Sequence, residues 1–230
     1  MRPARLLAPL TMLALVTMLT ADTAGCSKGD QATVLQGQDL KPYADGEFDP
    51  NEILDPGSFA DTQTLLQLDI ETFLSHGPYN RPSFLSTYQS NGVRAVDALL
   101  ASAQKYGINP LVFLTIAQAE QGLVGAQFYP SPTSRVEYAF GCGCGDTGGC
   151  DPALAGFDKQ VDCLGRQLST YASQIANGGV TAGGWGEGQT SKTIDGKSVT
   201  PADSSTAILY QYDPFVGTGE RGNWLFWNIW

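Results

Sequence analysis

Tyr106-Gly107-Ile108-Asn109-Pro110, continued by Leu111-Val112-Phe113-Leu114-Thr115-Ile116-Ala117-Gln118-Ala119-Glu120-Gln121-Gly122-Leu123-Val124, is the stretch on which the fold turns. Asn109 is a natural helix N-cap, and Pro110 stands at the first helical position, where a missing N–H does no harm. The predicted helix runs to about Val124. At about 100° per residue, Phe113, Ile116, Ala117, Leu123 and Val124 share one arc of roughly 120°, and Glu120 falls in its middle. A carboxylate is almost never fully buried unless paired, and desolvation raises its pKa. Such a group keeps its proton near neutral pH and can hand it to a leaving oxygen, as a general acid must. The alternative is a Glu neutralised by a basic partner or reaching solvent at the helix end.

Helical patterns extend to both sides. Asp61 can cap a helix carrying Leu65, Leu66, Leu68, Ile70, Phe73 and Leu74, stopping near Gly77-Pro78. Gly92 to Tyr106 places Val93, Val96, Leu100 and Ala103 at helical spacing, with Gly107 as the stop. Phe157, Val161, Leu164, Leu168, Tyr171 and Ile175 predict a helix from Phe157 to about Asn177. Asp195-Gly196 within Thr193 to Ser198 predicts a small hairpin, and a short helix fits Ser204 to Tyr210 before an aromatic C-terminus. The fold class is mainly α, an α-rich (α+β) domain over 61–230 with a small β-hairpin and a disulfide-bearing loop.

The chain has 230 residues and a formal charge of −10. Arg2 and Arg5 precede an apolar run from Leu6 to Leu19, too short to span a bilayer and suited to a cleaved signal peptide over 1–25. Thr23-Ala24-Gly25-Cys26 resembles the lipobox of bacterial lipoproteins, which implies a lipid on Cys26 and an exported, membrane-anchored protein. Without residues 1–25, which hold Arg2, Arg5 and Asp22, 11 basic residues face 22 acidic ones, a net −11. Such a surface repels nucleic acid and anionic headgroups. Residues 26–60 are rich in Gly, Asp and Glu and read as a flexible acidic tether, with a root-mean-square span of roughly 30 Å for about 34 residues.

With Cys26 acylated, Cys142, Cys144, Cys150 and Cys163 remain, enough for two disulfides in an oxidising compartment. Cys142 and Cys144 are too close to pair with each other. Two connectivities stay open: Cys142 to Cys150 with Cys144 to Cys163, or Cys142 to Cys163 with Cys144 to Cys150. A Cys₄ zinc site is disfavoured in an exported chain. One histidine, His76, makes Ser-His-Asp, Cys-His and multi-His metal sites improbable. Gly196-Lys197-Ser198 lacks the earlier glycine of a P-loop, since Ser191 stands there. The chemistry so assigned needs no cofactor and no metal.

Tyr106 to Pro110 followed by Ala117-Gln118-Ala119-Glu120-Gln121-Gly122-Leu123-Val124 resembles a family of bacterial surface and cell-wall proteins with a lysozyme-like domain, related to glucosaminidases and lytic transglycosylases. Ala119 stands where that family usually carries a basic residue. Tyr138-Ala139-Phe140-Gly141-Cys142 with Cys150-Asp151 resembles its aromatic-Gly loop, and Gly156 to Val161 the start of its next helix. Ala207-Ile208-Leu209-Tyr210-Gln211-Tyr212-Asp213-Pro214 with Asn223-Trp224 to Trp230 is similar to its C-terminal signature. The resemblance implies Glu120 as catalytic acid, Gln121 and Tyr138 beside the substrate, and cleavage of β-1,4 amino-sugar linkages, with peptidoglycan as partner.

Tyr210 and Tyr212 are further candidates to line the cleft, although such tyrosines are more often core residues with a satisfied hydroxyl. Glycosidases commonly use a second carboxyl group. Glu137, Asp146 and Asp151 are the candidates in the cysteine-bearing loop, each better explained as a turn or capping residue. A non-catalytic glycan-binding or adhesin-type surface lipoprotein is the rival expectation.

Overall fold

The computed structural model describes residues 48–77, 80–145, 149–219 and 221–230. The proposed signal peptide and Cys26 lie outside the described residues. The architecture is mainly α: α1 (Pro56–Ala60), α2 (Gln67–His76), α3 (Ala95–Tyr106), α4 (Pro110–Gln121), α5 (Ser134–Glu137), α6 (Phe157–Gly178), α7 (Ser204–Tyr212) and α8 (Gly222–Ile229). Two antiparallel hairpins accompany them. One joins β1 (Gln89–Ser90) to β2 (Val93–Arg94), the other β3 (Ser191–Lys192) to β4 (Ser198–Val199). The second has Asp195-Gly196 at its tip, the turn chemistry expected there.

Helix α4 is the core of the molecule. Every residue from Val112 to Gln118 is buried, so apolar side chains meet neighbours on all sides, as in a helix enclosed by others. Its start follows from sequence: Asn109 Oδ1 accepts from Leu111 N at 2.9 Å, and Asn109 Nδ2 donates to Ser58 O. Its end comes earlier than the apolar pattern predicts. Gly122 takes a left-handed conformation after Gln121, so Leu123 and Val124 are buried beyond the helix rather than on it.

Helix α6 buries Phe157, Val161, Leu164 and Leu168 along one stripe. At Gly165 it touches α3 so closely that a Cβ would lie 2.3 Å from the Tyr106 ring. Helix α8 packs on α4, and α7 on α6. The aromatic C-terminus is therefore a helix in its own right, with Leu225 and Phe226 buried.

Two helix starts differ from expectation. Asp61 accepts from Gln63 N and Thr64 N, closing a local turn, and α2 begins only at Gln67, where Asp69 bonds back to Leu66 N. Val93-Arg94 pair with Gln89-Ser90, so α3 starts at Ala95.

The tether boundary at residue 60 is corrected. Ile53, Leu54 and Phe59 belong to the buried core, and Phe59 O accepts from Asn109 N at 2.8 Å. Asn51 O and Oδ1 accept from Ala202 N and Thr200 N, Ile53 N donates to Thr206 Oγ1, and Ser205 Oγ donates to Leu54 O. Phe48 packs on Trp227 with ring centroids 5.6 Å apart. The Asp and Glu residues of this stretch masked the apolar anchors Phe48, Ile53, Leu54 and Phe59, which pack against the core over a long sequence separation.

The cysteines pair as Cys142–Cys163 and Cys144–Cys150, the second of the two connectivities left open. The first ties the loop onto α6, and the second closes a small ring within it. Two disulfides are typical of a chain that folds in an oxidising compartment. Among the described residues no helix is long and apolar enough to cross a membrane.

The same loop is braced by Gln160, a fully buried amide on α6. Its Oε1 accepts from Phe140 N and Cys142 N, and its Nε2 donates to Cys142 O and Leu154 O. All four hydrogen-bonding positions of the amide are used, which is what burial of such a group demands.

Candidate active site

Two segments far apart in sequence meet at one cleft: the end of α4, and the continuous stretch from the end of α7 through its following loop into the start of α8. It encloses about 180 Å³ and is lined by Glu120, Tyr212, Asp213, Phe215, Arg221 and Asn223 over an apolar floor that includes Ile116 and Leu209. Glu120 is brought there because it is the penultimate residue of α4, where the helix leaves the core and the Gly122 cap turns the chain away. Asp213 is brought there because it caps the C-terminus of α7, its N–H bonding Leu209 O.

Glu120 is not sealed in the core, as its place on the apolar arc suggests. By accessible surface it is exposed, and yet protein atoms crowd its flanks. The two descriptions agree for a group on the wall of a narrow cleft: water touches it, but too little water to solvate a charge as bulk does. Desolvation first, and the nearby negative charge of Asp213 second, push its carboxyl up to about 7. No Lys or Arg pairs with it among the described residues.

Asp213 carries the second perturbed carboxyl, half-buried and pushed up to about 6. Desolvation is the larger cause and the charge of Asp195 the next, while Arg221 pulls in the opposite direction. Tyr212 lies in the same cleft, its hydroxyl held protonated by burial and by the charges of Glu120 and Asp213.

The loop that follows Asp213 is held from two sides. Asp195, at the tip of the β3–β4 hairpin, accepts from Val216 N at 3.2 Å and from Gly217 N at 3.0 Å, and Ile194 N donates to Pro214 O at 2.8 Å. From α8, the buried Asn223 Nδ2 donates to Asp213 O at 2.8 Å and Phe215 O at 3.1 Å. Gly217 has φ +76°, and a Cβ there would sit 1.9 Å from Arg221 O, so only glycine fits.

The other expected residues are placed elsewhere. Tyr210 is buried in the core, stacked on Trp185 with centroids 4.9 Å apart, and its hydroxyl donates to Pro50 O at 2.9 Å. One residue of helix separates it from Tyr212, enough to turn the two rings to different sides. Gln121 does not line the cleft, and its backbone oxygen accepts from Arg135 Nη2. Tyr138 caps α5 and is likewise absent from the lining.

Among the loop carboxyls, Asp151 caps the short turn Pro152–Leu154, with Ala153 N at 2.9 Å, and Glu137 accepts from Tyr129 Oη at 3.1 Å. Asp146 lies outside the described residues. Among the described residues no group of three His, Cys, Asp or Glu side chains converges as a metal site does.

Comparisons with protein-family models, with curated proteins and with solved structures found no match.

Proposed function

We propose that this cleft cleaves an amino-sugar glycan, with Glu120 as general acid and Asp213 as the second carboxyl of the pair. The observation that carries the reading is the pairing of two carboxyls in one cleft whose values, about 7 and about 6, bracket the pH at which one is protonated and its partner ionised. That division of labour is what glycosidic cleavage asks of two acids: one protonates the leaving oxygen, and the other serves as base or stabilises positive charge at the sugar. The sequence resemblance to lysozyme-like cell-wall enzymes supports the same reading and makes peptidoglycan, cut at β-1,4 linkages, the substrate.

The resemblance also supports a lysozyme-like fold and an exported lipoprotein anchored through Cys26, which puts the cleft at the cell envelope. The deciding experiment incubates the protein with purified sacculi and identifies soluble fragments by mass. Release by the parent and loss in Glu120→Gln support the assignment. Binding without release supports the non-catalytic glycan-binding alternative. Reducing-end products mark hydrolysis and anhydro products mark transglycosylation.

A further inference from the structure

We infer that Asp195 is a positioning residue for Asp213, holding from outside the cleft the loop that carries it. The inference rests on the carboxyl pair proposed above, and Asp195 itself does not line the cleft.

The geometry is specific. Both Asp195 oxygens are engaged by consecutive backbone N–H groups, Val216 and Gly217, immediately after Asp213-Pro214-Phe215. Ile194 N adds a bond to Pro214 O, so the hairpin tip grips the loop at Pro214, Val216 and Gly217. Burial raises the Asp195 carboxyl, but the bonds from Thr193, Gly217 and Val216 outweigh it and leave the group below the ordinary carboxylate value. Asp195 is therefore a fixed negative charge at working pH.

The charged and titratable groups around Asp213 come from every packed element: Glu120 on α4, Tyr210 and Tyr212 on α7, Asp195 on the hairpin and Arg221 at the start of α8. Asp195 and Arg221 act on the Asp213 carboxyl in opposite directions. Glu120 responds to burial and to Asp213, with no contribution from Asp195. A hairpin bearing one acid thus acts directly on one member of the pair and reaches the other only through it.

The test compares the full chain with Asp195→Asn, which keeps side-chain shape, removes the charge and retains one acceptor. The side-chain carboxyl of Asp213 is titrated by NMR in labelled protein, and the pH profile of glycan release is recorded in parallel. The expected result is a lower Asp213 midpoint and an acidic limb of the profile displaced to lower pH, with the alkaline limb moved far less because Asp213 is already largely ionised there. Asp195→Glu, which restores the charge, should return the midpoint toward the parent value.

An unchanged Asp213 midpoint in a folded Asp195→Asn protein overturns the inference. So does a uniform loss of activity at every pH with no displaced limb, which marks a purely structural role. If the parent releases no glycan at any pH yet the midpoint still falls, the positioning role stands and the catalytic reading fails.

Discussion

Glu120 and Asp213 reach the same cleft from the C-terminal ends of two different helices, α4 and α7, and each acid is perturbed chiefly by its own desolvation. Helix C-termini carry partial negative charge, so neither acid gains help in ionising from its own helix. The pairing implies a bell-shaped pH profile for glycan release. The rate should rise through about 6 as Asp213 ionises and fall through about 7 as Glu120 loses its proton. A profile flat from pH 5 to 8 contradicts these roles.

Removing either acid separates chemistry from folding. Glu120→Gln and Asp213→Asn keep shape and lose the proton-transfer function, so each should lower release by at least about 100-fold with the circular dichroism spectrum unchanged. Fragment release within a few-fold of the parent in either variant excludes that residue from catalysis.

The same substitution has the opposite effect on stability. The Glu120 carboxyl lies above its ordinary 4.5 in the folded protein, so its contribution is fully present below about 4.5 and is lost as pH rises through about 7. Glu120→Gln cannot ionise and escapes that loss. Above pH 7 it should be more stable than the parent by on the order of 1 kcal/mol, a figure reduced because the carboxyl reaches water, and equal to it near pH 4. Urea midpoints at the two pH values measure the difference. A variant less stable at pH 8 than its parent contradicts the desolvation account.

Gln160 should be among the costliest polar positions in the molecule. Gln160→Leu keeps most of the volume but strands the N–H groups of Phe140 and Cys142 in the interior. The loss should be about 2–4 kcal/mol, read from chemical denaturation, because each unsatisfied buried group costs about 1–3 kcal/mol.

The two disulfides should differ in worth. Cys142–Cys163 spans a sequence separation of 21 and Cys144–Cys150 one of 6. Loop-closure entropy assigns roughly 3.4 kcal/mol to the longer loop and roughly 2.4 kcal/mol to the shorter. Paired Cys→Ser variants, compared by thermal unfolding, should show the larger drop for Cys142–Cys163. The reverse order is evidence for structure retained in the unfolded chain.

Local signals made much of this fold legible. Asn109-Pro110 marked the start of α4, and the alternating steps of four and three from Phe157 marked α6, since caps and periodicity are written in adjacent residues. Glu120 stood out for the same reason, a charge set on an apolar stripe, although the stripe could not say that the helix stops one residue later at a left-handed glycine. Asp213 carries no such local mark, whereas Glu137, Asp146 and Asp151 lie in the cysteine-bearing loop. The neighbours of Asp213 in space are Asp195, Arg221 and Asn223, and nothing in the local pattern of Asp213-Pro214 announces them. Tyr210 and Tyr212 looked equivalent in sequence, and only the packing of α7 against Pro50 and Trp185 separates the core hydroxyl from the one in the cleft.

The contact of Phe48 with Trp227 makes a seam where the stretch before α1 is sewn to α8. Asn223, which holds the Asp213 loop, sits one helical turn before Trp227 on the same α8. Trimming the chain at the nominal tether boundary would therefore unpick α8 from its outer side and slacken the loop bearing the second acid. A shortened protein of that kind would keep every residue of the cleft and still be disarmed.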